Sequence, residues 1–275
     1  NAQNNYSTTT EGELAQLLAP IALYPDTLLS HILIASTYPI EVVEAYRWLE
    51  KNNQLDNNQL FEQTENKNWD ASIKALLPFP TVLKRLNDEL TWSRTIGDAF
   101  LEDESQVLAV IQQLRQQADE AGNLAQMDNM EVNYEHDNII IQPVKREVVY
   151  VPYYDSRSIY GHWYWNNYPP VYWANTRVRM GYRHYSPFYW QPGIHISFNY
   201  FFGAFHWNQR QLVVINHHNS HRFTHRKRII SSHGSQRWHH KPQHRRGVAY
   251  SNNKVKKRYN SHKVSVAQRQ HQRKS

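Results

Sequence analysis

The sequence contains no cysteine. Disulfide staples, thiolate zinc sites and cysteine nucleophiles are therefore excluded. It also has no acidic residue after Asp155, although 21 Lys or Arg and 14 of the 16 His lie beyond that point. A segment of one sign cannot neutralise itself, so it requires a polyanion, counterions or the acidic residues of its own chain. No apolar run reaches the roughly 18 to 20 residues that a membrane-spanning helix needs. The first residue is Asn rather than Met, which reads as a processed chain whose signal peptide has been removed.

What is present is distributed unevenly. Residues 1–135 hold 21 Asp or Glu against 8 Lys or Arg, net −13, whereas 136–275 hold 3 acids against 23 bases, net +20. The overall +7 hides a dipolar molecule. Residues 1–10 are polar and read as a disordered lead-in. Short amphipathic helices then follow one another between prolines. Leu14, Leu17 and Leu18 open an apolar stripe, and Leu28, Leu29, Ile32 and Leu33 continue it after Pro25. Val42, Val43, Tyr46 and Leu49 form the face of a helix begun by Pro39. Residues 57–68 read as loop. Thr81 is placed to cap a helix carrying Val82, Leu83, Leu86 and Leu90. Ser105 is placed to cap the longest one, with Val107, Leu108, Ile111, Leu114 and Ala118 buried and Gly122 as its stop.

After Met127 the period changes. Ile139–Ile141 and Val148–Val151 read as a hairpin joined through residues 142–146. From Tyr160 to Trp207, 18 of 48 residues are aromatic, and Pro169, Pro170, Pro187 and Pro192 exclude long helices. Alternation over 193–202 and the run Leu212–Ile215 predict short strands. From Asn216 onward, 60 residues carry 16 Lys or Arg and 10 His, too little apolar surface to offset chain entropy. The expected class is α+β: an all-helical acidic domain over 11–127, a small β-rich aromatic extension over 128–215, and a disordered basic tail over 216–275.

Four blocks resemble a family of Gram-negative bacteria, the domain of unknown function numbered thirty-three hundred. They are LAQLLAPIALYPDTLLSHILIASTYPIEVVEAYRWL (14–49), NWDASIKALLPFPTVLKRLNDELTWSRTIGDAFL (68–101), EVVYVPYYDSRSIYG (147–161) and WHHKPQHRRGVAY (238–250). The resemblance implies export to the cell envelope and an N-terminal helical domain, and it brings no activity with it. Members tend to carry a glycine-rich hydrophobic segment after the Tyr-Pro-Pro region, whereas the matching stretch here, 191–208, contains His195, Asn199 and His206.

Candidate chemistry divides three ways. A hydrolase needs a carboxylic acid of raised pKa and usually a second carboxylate; Glu41, Glu44, Asp98, Glu102, Asp103 and Glu104 are the denser acids, but no pair stands out. No nucleophile-elbow motif surrounds any Ser. A non-enzymatic role is therefore expected. Metal binding has a sharper signal, because His218, His221 and His225 are spaced three and four apart, as on one side of a helical turn, and His240 with His244 repeats the spacing of four. Imidazoles suit zinc, copper or nickel, although Arg222, Arg226, Lys227 and Arg228 repel a cation. Polyanion binding draws on Arg177, Arg179, Arg183, Arg222, Arg226, Lys227, Arg228, Arg237, Lys241, Arg245, Arg246, Lys256, Lys257 and Arg258, with Trp163, Trp165 and Trp173 as stacking platforms. The same aromatics can equally be the core of the β-rich unit. Asp155 and Arg157 read as a local structural contact. The partner expected is an anionic envelope polymer, lipid head groups or an envelope protein. The alternatives are a metal-binding or chaperone-like envelope protein, a nucleic-acid binder, and self-association of one molecule's basic half with another's acidic half.

Overall fold

A computed structural model describes residues 8–145, 147–174, 186–196, 202–215, 229–230 and 234–260. Its class is α+β, with the helices gathered toward the N-terminus and small sheets after them. Thr10 opens α1 (Glu11–Leu18) with a capping box, its side chain accepting from Glu13 N while Glu13 reaches back to Thr10 N. α2 (Asp26–Ala35) is buried at nine of its ten positions, as its nearly unbroken apolar sequence requires. After it come α3 (Pro39–Lys51), α4 (Asn57–Thr64), α5 (Ala71–Ala75), α6 (Pro80–Asp88), α7 (Leu90–Glu102) and α8 (Glu104–Glu120), of which α3, α5 and α7 pack on α2. Gly97 lets α7 approach the end of α2, because a Cβ there would lie 2.1 Å from Ser36 O.

The local readings need four corrections. Residues 57–64 form α4 rather than loop, since Asp56 and Gln59 make a capping box that offsets the polar composition. Asp103, not Ser105, caps α8, accepting from Gln106 N. Thr81 caps nothing: α6 starts at Pro80, whose missing N–H is no loss in the first turn, and the Thr81 hydroxyl meets Tyr153 Oη at 2.9 Å. The strand at 138–143 does not pair with 148–151. Its hairpin partner is upstream.

That hairpin joins β1 (Met130–Glu135) to β2 (Asn138–Pro143) in antiparallel register, Glu135 opposite Asn138, with His136 left-handed in the turn. β3 (Val148–Val149) and β4 (Pro152–Tyr153) instead pair with the later β6 (Ile194–His195) and β5 (Tyr189–Trp190). β7 (Gly203–His206), β8 (Gln211–Val214) and β9 (Gln236–Arg237) make a three-stranded sheet. β7 lies on α2, and a Cβ at Gly203 would stand 2.5 Å from Ser30 Oγ.

One apolar cluster runs from Leu14 through Ile139, Phe188, Phe205 and Trp207 to Ile229, so helices and sheets share a core. At its centre Arg115 of α8 is fully buried. It pairs with Asp26 at 2.6 Å, donates to the carbonyls of Ala22, Tyr24 and Ile139, and lies 5.1 Å from the Trp207 ring, whose Nε1 donates to Asp26 Oδ2. A buried charge is tolerable only when paired and fully hydrogen-bonded. This node meets both conditions while tying α2, α8, β2 and the turn after β7 together.

Candidate functional site

Residues 234–260 fall within the stretch expected to be a flexible tail, yet they dock on the acidic helices. The physical reason is the charge complement that the sequence leaves open. β9 extends the sheet through Trp238 N to Leu212 O, and Arg237 pairs with Glu104 at 3.0 Å. Trp238 stacks on Phe100 of α7, with centroids 5.4 Å apart. His240 then stacks on Tyr38 at 5.2 Å, and Lys241 N donates to the Tyr38 hydroxyl.

A short helix α9 (Pro242–Arg245) delivers the next three side chains. His244 Nδ1 lies 2.6 Å from Oε1 of Glu41, a fully buried residue whose Oε2 accepts from Asp70 N at 2.7 Å. Burial holds the Glu41 carboxyl above its ordinary pKa despite those two bonds. Arg245, buried, reaches Asp98 Oδ1 at 2.7 Å and donates to the carbonyls of Thr37, Val248 and Ala249. Its guanidinium lies 4.4 Å from the Tyr250 ring. Arg246, left-handed at φ 54°, turns to Glu44, and Gly247 at φ 82° completes the reversal. Ser251 then donates to Asp98 Oδ2 from both its N–H and its hydroxyl. Residues 253–260 are helical, with Val255 buried beside Leu101 and Tyr250, and Arg258 donates to Leu101 O.

The structure thus brings together Arg237, Lys241, Arg245 and Arg246, each facing a carboxylate; for Lys241 it is Asp70, at 3.9 Å. Lys256, Lys257 and Arg258 follow on the helical stretch 253–260. Trp163 and Trp165 lie elsewhere: Trp163 Nε1 donates to the carbonyls of Trp165 and Tyr168, and Trp165 Nε1 to Glu11 of α1. Trp173 lines a cavity against α6 and α7. Arg177, Arg179, Arg183, Arg222, Arg226, Lys227 and Arg228 lie outside the described residues, as do His218, His221 and His225. Among the described residues no group of three or more His, Asp or Glu can hold a metal ion. His240 and His244 do share one side, on Tyr38, but His244 is committed to Glu41 and His240 Nε2 to the Tyr250 hydroxyl at 2.9 Å. Asp155 and Arg157 form the local contact expected, at 2.9 Å.

The acids that receive these cations are not distinguished in the sequence. Glu41 and Glu44 are three apart on α3, among Arg47, Glu50 and Lys51, so a solvated polar face accounts for them as well as a pair awaiting cations does. Asp70 and Tyr38 are likewise unmarked.

The site is sensitive to protons. Burial, and next the charges of Arg245 and His244, push His240 down to about 3. His240 is therefore neutral when folded, whereas in the unfolded chain it titrates near 6.5. A His with a depressed folded pKa loses stability as pH falls through the unfolded value, so the window runs from about 6.5 down to 3. Glu41, raised by burial, acts oppositely, losing stability as pH rises from its unfolded value toward its folded one. Comparing His240→Phe with the parent isolates the first effect. From pH 7 to 5 the parent should lose about 2 kcal/mol more than the variant. Parallel pH profiles in denaturant unfolding contradict a buried neutral His240.

In class, then, this is an α+β chain whose basic C-terminal segment is seated on its own acidic helices, and no described helix is long and apolar enough to cross a membrane. Residues 10–240 match the family described as Protein of unknown function (DUF3300), and the chain belongs to that family. It is similar to the uncharacterized protein YacH of Escherichia coli strain K12, 30% identical over 198 residues, covering 60% of this chain and 32% of that protein. The match spans about a third of the length of this curated relative. No solved structure matches the chain.

Proposed function

We propose that this is a non-enzymatic exported protein of the bacterial envelope, whose basic aromatic half binds an anionic envelope component or a partner protein. One observation carries the reading. The helical acids hold the cations of 237–246, and this seating leads into a helical stretch whose Lys254, Lys257 and Arg258 are exposed. Four more Lys or Arg and no acid follow in 261–275. Such a surface attracts lipopolysaccharide phosphates, anionic phospholipid or peptidoglycan carboxylates. Export is supported by the family resemblance of the four sequence blocks.

The non-enzymatic part is supported by the employment of the acids. Glu41 and Asp98 take His244 and Arg245, Glu44 takes Trp69 Nε1 and Arg246, Glu102 accepts from Thr9, Asp103 caps α8, and Glu104 holds Leu212 N and Arg237.

Binding to lipopolysaccharide vesicles should weaken as salt rises. If Lys254, Lys256 and Lys257 each neutralise a phosphate, affinity falls roughly 10 to 100-fold between 50 and 200 mM salt for those three contacts alone. Replacing all three by Gln should remove about that share of the salt dependence. Equal binding by parent and triple variant at 50 mM salt would refute the reading. Stronger tail-dependent binding to duplex DNA than to vesicles would move it to nucleic acid.

A further inference from the structure

A cavity of about 350 Å³ opens where the aromatic segment crosses α6 and α7, at the small end of the range of ligand sites. It is distant in sequence from the cations of 254–258, and nothing above depends on it. Its walls combine three chemistries. Tyr24, Trp92, Tyr153 and Trp173 supply aromatic surface. Hydroxyls stand among them: Tyr153 Oη is bonded to Thr81 Oγ1, while the hydroxyl of the buried Tyr24 makes no hydrogen bond to another described residue. Burial, followed by the neighbouring Tyr154 and Tyr153, pushes Tyr24 well above its ordinary pKa, so its proton is retained for donation.

The third element is charge. Lys84 is ion-paired with Asp88 one turn along α6, and both line the wall; Arg85 acts on Asp88 through its charge but forms no ion pair of its own among the described residues. Its guanidinium lies 4.5 Å from the Trp173 centroid, and Trp173 meets Trp92 edge-to-face at 4.7 Å and 81°. The guanidinium donates no hydrogen bond to another described residue, so its N–H fork is available to grip an oxyanion with two parallel bonds.

Ligand classes can be sorted against this wall. A hydrocarbon would strand the Tyr24 hydroxyl and the Arg85 charge, each at a desolvation penalty. Inorganic phosphate would satisfy Arg85 and leave the rings wet. A sugar ring has apolar C–H faces and a hydroxyl rim, and an acidic substituent on it adds the counter-charge. We propose that this cavity binds an anionic sugar, a pyranose carrying one carboxylate or phosphate, with Arg85 pairing to the acidic group and Trp92 and Trp173 forming the apolar wall.

The full-length chain would be titrated with glucuronate and glucose 6-phosphate, and in parallel with glucose, benzoate and inorganic phosphate, by tryptophan fluorescence and calorimetry at 150 mM salt. Saturable binding of at least one anionic sugar is expected, tighter than any of the three controls; which one binds identifies the acidic group. Arg85→Gln should weaken that sugar about tenfold or more, the effect of one lost charge-assisted pair, without lowering the melting temperature, because the side chain is only half-buried. Tyr24→Phe should weaken it less. Absence of saturable binding by both sugars overturns the proposal, as does undiminished binding by a folded Arg85→Gln. Benzoate or phosphate binding as tightly as the sugar would also sink it, since the hydroxyl rim would then play no part. Polyanion binding reads out through Lys254, Lys256 and Lys257, so either result stands without the other.

Discussion

Arg115→Ala should lower the unfolding free energy by about 3 to 5 kcal/mol, the usual effect of leaving a buried charge without its partner. For a chain of this size that corresponds to a fall of roughly 10 °C in melting temperature. The cause is local. Asp26 would keep its bond from Trp207 but lose its cation, the carbonyls of Ala22 and Tyr24 would lose their donors inside the core, and Ile139 O would keep only that of Gln112. Adding Asp26→Asn should recover only the charge part of the loss, because the carbonyls of Ala22 and Tyr24 stay unpaired. A single variant as stable as the parent would mean that the node is not buried as described.

Arg245→Ala should have the second large effect, of a different kind. Arg245 closes the seat: it neutralises Asp98, donates to the carbonyls of Thr37, Val248 and Ala249, and lies over Tyr250. Removing it leaves Asp98 buried with only the Ser251 donors, a penalty again of about 3 to 5 kcal/mol. The chain can escape much of that by releasing the segment, so the loss should appear as detachment of residues 234–260 rather than as global unfolding. Trypsin cleavage after Arg237 or Arg246 should accelerate strongly in the variant while the helical core stays protected. Parent and variant cut at the same rate would contradict the seating.

The helices were legible because their apolar stripes recur at three and four residues and their prolines mark their starts, as in α2, α3 and α6. α4 was hidden by its Asn, Gln and Glu content, although Asp56 and Gln59 at cap and third position are the very pattern that opens a polar helix. The Ile139–Ile141 strand was legible and its partner was not, since a β-branched run does not announce which neighbour it takes; the polar pair His136 and Asp137 was the turn signal. The seat lay further from reach. Its bonds join residues some 150 to 200 apart, such as Asp98 to Ser251 and Glu41 to His244. Composition rules also place Arg and Glu on the surface, and Arg115, Arg245 and Glu41 are buried because each found a specific counterpart. The absence of acids after Asp155 was the one sequence feature that pointed there, and the acidic helices of the same chain meet part of that demand.

Hydrogen exchange on the intact chain tests this seating most directly. The amides of Trp238, Lys241 and Ser251 donate to Leu212 O, Tyr38 Oη and Asp98 Oδ2, so all three should be protected well beyond free-peptide rates, and that protection should disappear in Arg245→Ala while α2 keeps its own. Exchange at free-peptide rates throughout 234–260 in the parent chain would show that the basic segment does not rest on the acidic helices.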